Sequence, residues 1–152
     1  MEQNEKDIRF MNAALEEAKR AFERQEVPVG AVVVCNGKII ARAHNLTETL
    51  NDPTAHAEMQ AITAATNYLG GKYLSDCSIY VTLEPCPMCA GALRWSQISE
   101  LVYGADDPKR GYTLIPGALL HPKTRVRKSV LTDECSKLMQ QFFKTKRQKT
   151  NR

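Results

Sequence analysis

The 152-residue sequence has no apolar run approaching the roughly 20 residues that a membrane-spanning helix needs, so no membrane association is expected. It also lacks the apolar core of a secretory signal. Met1 to Arg9 alternates acids, bases and amides, which predicts a cytoplasmic chain whose thiols stay reduced. A disulfide framework is missing too. The 5 cysteines are an odd number, and only Cys86 and Cys89 share a metal-ligand spacing. Cys35, Cys77 and Cys135 are isolated and read as small buried hydrophobes. With no internal repeat and no linker-like segment, residues 1–152 are expected to form one domain.

Charge is unevenly placed along the chain. Residues 1–120 hold 11 of the 21 basic side chains and 15 of the 17 acidic ones, a net of −4, whereas the remainder carries +8. Lys123, Arg125, Arg127 and Lys128 form one basic cluster, and Lys144, Lys146, Arg147, Lys149 and Arg152 form another. A charge run of this kind is ordinarily a solvated surface and frayed tail; the sharper reading is contact with an acidic polymer such as RNA.

Hydrophobic spacing supplies the elements. Ile8, Met11, Ala14, Leu15, Ala18 and Phe22 recur at helical intervals, predicting a helix over 8–26 with Asp7 as N-cap. Val27 to Val34 reads as a buried strand, Asn36-Gly37 as a hairpin turn, and 38–41 as its partner strand. A helix over 55–69, capped by Thr54 and ended by Gly70-Gly71, precedes a strand over 78–83, a helix over 85–94 and a strand over 100–104. After an irregular stretch come a strand over 124–131 and a helix over 132–146 that turns Leu138, Phe142 and Phe143 inward. The alternation implies an α/β domain, one mixed sheet with helices on both faces.

Alone, His56 reads as a structural histidine and Glu58 as a solvated acid. The combination His56-Ala57-Glu58 with Pro85-Cys86-Pro87-Met88-Cys89 changes that reading, because H-x-E…P-C-x-x-C is the established signature of zinc nucleobase deaminases. One imidazole and two thiolates suit Zn2+ and leave a fourth tetrahedral position for water, as in a catalytic site. Cys86 and Cys89, three apart at a helix start, can turn both sulfurs to one side, where the helix dipole favours thiolates. His56 and Glu58, two apart, reach a common site only around a helix end, which predicts a first-turn position for both. Zinc lowers the pKa of a bound water to about 7, and Glu58 would carry its proton to the ring nitrogen and then to departing ammonia. A redox Cys-x-x-Cys pair would explain neither His56 nor Glu58. A purely structural zinc would want a fourth protein ligand, and no other Cys or His stands at a matching spacing.

The chain resembles the bacterial tRNA-specific adenosine deaminases of the cytidine/deoxycytidylate deaminase superfamily. The likeness rests on Glu26-Val27-Pro28-Val29-Gly30-Ala31, on the block from Asn51 to Glu58, on the block from Tyr80 to Ala92, and on Asp133-Glu134-Cys135 and Phe142-Phe143 near the basic end. It implies a three-layer α/β/α fold with a mixed five-stranded sheet, one Zn2+ per chain, and conversion of the wobble adenosine of tRNA to inosine. Asn45 would hydrogen-bond the extruded base, with Val27, Pro28 and Leu83 shaping its pocket and Asp107 and Lys109 contacting the nucleic acid. Without the resemblance, Asn45 is a polar strand terminus and Asp107 and Lys109 a solvated turn. A homodimer acting on the tRNA anticodon loop is also implied, that loop offering an adenosine already unpaired. Gly111 to Leu120 stands where related enzymes have a longer Gly- and Ser-containing loop, so RNA contacts there do not carry over. The alternatives are a deaminase of free guanine, cytosine or a nucleoside, and a non-catalytic zinc-stabilised RNA-binding subunit.

Overall fold

The computed structural model describes residues 2–150, with side chains for residues 2–147. Its elements are α1 (Gln3–Glu23), β1 (Gly30–Cys35), β2 (Lys38–His44), α2 (Ala57–Leu69), β3 (Cys77–Leu83), α3 (Pro87–Ser96), β4 (Glu100–Ala105), β5 (Arg125–Arg127) and α4 (Thr132–Thr150), with a single 3-10 turn over Tyr112–Leu114. The sheet order is β2-β1-β3-β4-β5. β1 is antiparallel to both β2 and β3, whereas β3, β4 and β5 run parallel, so the sheet is mixed.

Strand alternation sorts the core into two halves. Ala31 and Val33 of β1, Ile79 and Val81 of β3, and Leu101 and Tyr103 of β4 face Ala57, Ala61 and Ala65 of α2 and Leu93 of α3. Val32, Val34, Tyr80 and Val102 face the opposite way, onto Phe10, Met11 and Ala14 of α1 and Cys135 of α4. Three layers result, as expected of this fold class. Gly30 sits where α1 crosses β1: a Cβ there would run into the Ala14 carbonyl oxygen, so the close approach of helix to strand requires glycine.

Several boundaries differ from the sequence expectation, each for a visible reason. α1 begins at Gln3, and Asp7 is not its cap but a buried member of the helix. Its carboxylate accepts from Arg127 Nε at 2.8 Å and from Tyr80 Oη at 2.7 Å. β1 starts at Gly30 rather than Val27, because Pro28 has no N–H for a ladder and Val29 N turns back to Val27 O at 2.8 Å. Thr54 bonds Asp52, and His56 takes the N-cap position of α2. α3 begins at Pro87, with Cys86 as its N-cap. β5 is confined to three residues, and the chain beyond it turns through positive φ at Ser129 (67°) and Leu131 (54°), which no strand sustains. Phe142 is buried as expected, but Phe143, one position and about 100° further round the helix, points outward and is 43% exposed.

The expected basic cluster beside β5 is largely neutralised. Arg127 pairs with Asp7 and Glu100, Arg125 with Glu100 and Lys128 with Asp106, while Lys123 is exposed. The acidic and basic parts of the sequence thus meet in the fold. On α4, Lys144 and Arg147 are exposed, and the side chains of Lys149 and Arg152 lie outside the described residues.

Candidate metal centre and active site

The β3–α3 connection and the loop before α2 bring two helix N-termini to the edge of the sheet where β2 and β3 end. His56 is the N-cap of α2 and Cys86 the N-cap of α3, both in extended backbone, and neither spends its side chain on capping. Pro87 at the first position of α3 presets its helical φ and lacks the N–H that would otherwise be unpaired there. One turn in, Cys89 returns to the side on which Cys86 lies.

His56 Nδ1 lies 3.6 Å from Cys86 Sγ and 3.5 Å from Cys89 Sγ. All three ligand atoms fall within 4.8 Å of one another. A tetrahedral zinc with ordinary Zn–S and Zn–N lengths holds sulfur and nitrogen about 3.6 Å apart. The donor set therefore fits zinc in chemistry and in spacing, and offers three protein ligands with one position open.

Charge at the cluster follows from the proximity. The Cys89 S–H hydrogen bond, with the His56 ring behind it, holds the Cys86 thiol down to about 4, while Cys86 and burial push the Cys89 thiol well above its ordinary value. Cys86 also raises the His56 pKa, and Arg110 lowers it, which places the Arg110 guanidinium within electrostatic reach of the imidazole.

Glu58 occupies the first turn of α2, as expected, and is 4% exposed. Burial pushes its carboxyl up to about 7, against the pull of a backbone hydrogen bond and His56. Its charge also interacts with those of His56 and Cys86, which places it within electrostatic reach of the ligand cluster.

The other expected site residues lie on separate segments of the fold. Val27 and Leu83 are half-buried and pack against the same half of the core, and Pro28 is buried. Asn45, 5% exposed, leaves the end of β2, and the next residue, Leu46, donates its N–H to Ala55 O at 2.9 Å, tying this loop to the residue before His56. Asp107 caps a turn by accepting from Lys109 N at 3.1 Å and Arg110 N at 3.0 Å, and Lys109 is exposed. A cleft of ≈ 230 Å³ between Gln25, Val27, Glu48, Phe142, Phe143 and Lys146 sets α4 beside the Val27 segment. A larger hollow, ≈ 670 Å³, lies on α2 and the Gly70–Lys72 segment and includes none of these residues.

Two buried carboxylates that no motif singled out hold neighbouring loops in place. Glu26, 0% exposed, accepts Glu48 N at 3.0 Å and Thr49 N and Oγ1 each at 2.7 Å. Glu84, 3% exposed, accepts Asp107 N at 3.0 Å, Thr113 N at 3.1 Å and Thr113 Oγ1 at 2.7 Å. Each lies inside a recognised block, Glu26 before Val27-Pro28 and Glu84 before Pro85-Cys86, and that membership is the one available signal.

Residues 4–105 match the family described as the cytidine and deoxycytidylate deaminase zinc-binding region. A tRNA-specific adenosine deaminase from Bacillus subtilis (strain 168) is 46% identical over 148 residues, covering 94% of this chain and 92% of that protein. The chloroplastic tRNA(adenine(34)) deaminase of Arabidopsis thaliana is 46% identical over 88% of this chain, which spans only 12% of that longer protein. Among solved structures, one from a study of A-to-I editing by tRNA:A34 deaminases at the wobble position has a TM-score of 0.79 at 43% identity, covering 86% of this chain and 98% of its own. A guanine deaminase from Bacillus subtilis has a TM-score of 0.63 at 40% identity, covering 70% of this chain and 66% of its own.

Proposed function

The chain belongs to the cytidine and deoxycytidylate deaminase zinc-binding family, and from that premise we propose that it converts adenosine to inosine at the wobble position of tRNA, as one deaminase domain working in the cytoplasm. It is a zinc-dependent hydrolytic enzyme. The observation that carries the chemistry is the buried Glu58 on the first turn of the helix that His56 caps, His56 being grouped with Cys86 and Cys89 as a three-ligand cluster. His56, Cys86 and Cys89 hold the metal. Zinc bound there supplies the Lewis acidity that makes water nucleophilic near neutral pH.

Glu58 accepts the proton of the attacking water and delivers it to the ring nitrogen next to the reacting carbon; it then takes the proton of the newly formed hydroxyl and passes it to the amine, which leaves as ammonia while the C–N bond breaks and the carbonyl forms. Val27, Pro28 and Leu83 give the base apolar walls, and Asn45 supplies its polar contact. Asp107 and Lys109, on the loop fixed by Glu84, face the nucleic-acid strand. A non-catalytic binding subunit would have no use for an acid beside the metal.

The adenosine substrate is favoured over a free base by near-complete coverage of tRNA-specific relatives at 46% identity. The exposed Lys144, Arg147 and Phe143 of α4, beside the cleft at Val27 and Glu48, offer a polyanion both charge and a stacking surface. A salt series tests this. Counterion release makes RNA binding weaken steeply as salt rises, whereas a neutral free base binds with little ionic-strength dependence. KM for tRNA is expected to rise across the series, and a flat response would overturn the RNA reading.

The working form is read as a homodimer. Support comes from α3, where Trp95 is 83% and Met88 37% exposed, and from the segment after β4, where Leu114 is 54% and Ile115 45% exposed and which Arg94 ties to α3 through Ala118 O at 3.1 Å; exposed apolar side chains of this kind pair with a second copy. Sedimentation of Trp95→Glu against wild type tests it: a monomeric variant is expected, and equal sedimentation would count against this surface.

A further inference from the structure

We propose that Glu26 is a positioning residue for the deamination, fixing the orientation of the Asn45 side chain that meets the base. The inference rests on the reading of Asn45 given under the proposed function. Five hydrogen bonds converge on the one carboxylate, and all come from the segment 45–49: Asn45 Nδ2 at 3.5 Å, Thr47 Oγ1 at 3.4 Å, Glu48 N at 3.0 Å, and Thr49 N and Oγ1 at 2.7 Å. The group is wholly shielded from solvent, and these donors, outweighing burial, hold its pKa below the ordinary carboxylate value. It is therefore an anion that can only accept.

The consequence falls on Asn45. Its amide could present either its oxygen or its nitrogen to the pocket, because the two ends have nearly the same shape. An obligate acceptor behind it removes that choice. The nitrogen end turns toward Glu26, and its second contact, Thr47 Oγ1 at 3.3 Å, accepts from Asn45 because the Thr47 hydroxyl proton is given to Glu26. Every donor in the chain Asn45–Thr47–Glu26 is then committed in one direction. Asn45 N is further held by Val29 O at 3.1 Å, so backbone and side chain are both anchored.

Glu26→Gln keeps the size of the side chain but introduces donors, so the direction of the network is no longer enforced. The test uses zinc-loaded protein and an RNA with wobble adenosine, in a double-mutant cycle of Glu26→Gln with Asn45→Ala. Glu26→Gln is expected to lower kcat/KM at least tenfold at unchanged zinc content, and the double variant to lose no more than the poorer single one. Additive losses, or unchanged kcat/KM in Glu26→Gln, would overturn the proposal.

Thr49→Val, which removes one donor and leaves the carboxylate, serves if Glu26→Gln fails to fold, with a smaller loss that Asn45→Ala should likewise mask. A substrate-free readout separates this proposal from the assigned reaction. In NMR spectra the Asn45 side-chain amide is expected to give a distinct, slowly exchanging pair that shifts toward the solvent-exposed position in Glu26→Gln. If that change occurs while the wild type makes no inosine, the assigned reaction fails and the orientation stands. If the wild type makes inosine and the amide pair is unmoved, Glu26 does not orient Asn45.

Discussion

His56 and Cys86 hold the same position on two different helices: each is an N-cap residue, and the Nδ1 of one lies 3.6 Å from the Sγ of the other. An N-cap side chain ordinarily bonds the free N–H groups of its own helix. Here both forgo that bond and meet each other. Two positive helix ends thus face one point at which thiolates gather, and a metal held by these residues would tie α2 to α3.

Removing Cys86 therefore breaks more than one coordinate bond. Cys86→Ala is expected to purify without stoichiometric zinc and to melt at a lower temperature than the wild type, because binding energy at such a site is also folding energy. Metal analysis beside a thermal melt checks this. Full zinc occupancy would show that the ligand set is wrong.

Glu58 gives the opposite pattern. Glu58→Ala is expected to retain zinc and bind RNA while losing roughly a thousandfold in kcat, within the range typical of a positioned proton carrier. Zinc content and single-turnover kinetics on the same preparation separate the two effects. Turnover within tenfold of wild type would remove Glu58 from the reaction.

Glu84 holds the 107–113 segment much as Glu26 holds 45–49. Glu84→Gln weakens hydrogen bonds to an anion worth about 1.5–3 kcal/mol each, and is expected to lower kcat/KM on RNA by roughly tenfold at unchanged zinc content. Gly111→Ala is expected to do the same, since its Cβ would collide with the Glu84 carboxylate. Wild-type kinetics in both would mean that the 106–114 loop does not touch the substrate.

The Asp7–Arg127–Glu100 network sets the acid limit. Burial opposes ionisation of both acids, but Arg127, with Tyr80 at Asp7 and Ser78 at Glu100, outweighs it, lowering Asp7 below its usual value and Glu100 to about 2. Carboxylates lowered on folding stabilise the native state above their unfolded pKa and lose that contribution as pH falls through the folded one. Stability should thus decline from about pH 4.5 toward pH 2. Arg127→Gln, which leaves a buried charge unpaired, is expected to cost about 3 kcal/mol near neutrality and to flatten this decline. Equal slopes would assign acid unfolding to other groups.

What the sequence made legible was what neighbouring residues decide. Asn36 and Gly37 do adopt the positive φ of 52° and 74° that a tight hairpin needs, and the spacing of Cys86 and Cys89 around Pro87 foretold a shared side on the first turn. Asp7 was misread because its partner Arg127 stands 120 positions away. Shorter separations, 25 positions from Arg125 to Glu100 and 22 from Lys128 to Asp106, likewise hid the neutralisation of side chains that look like free cations in a basic run. Glu26 and Glu84 were printed inside the recognised blocks, yet their work depends on which loops fold over them. Pattern picked out the three residues that the fold gathers into one cluster and the acid on the same helix end, and packing alone identified what holds the neighbouring loops.

The most direct measurement is sequencing of a tRNA with wobble adenosine after incubation with the zinc-loaded protein, with ammonia assayed in parallel on free guanine, cytosine and adenosine. Inosine at that single position, with the free compounds untouched, is the expected result. Ammonia from a free base and an unaltered tRNA would contradict it, retaining the zinc chemistry but assigning it to a small molecule.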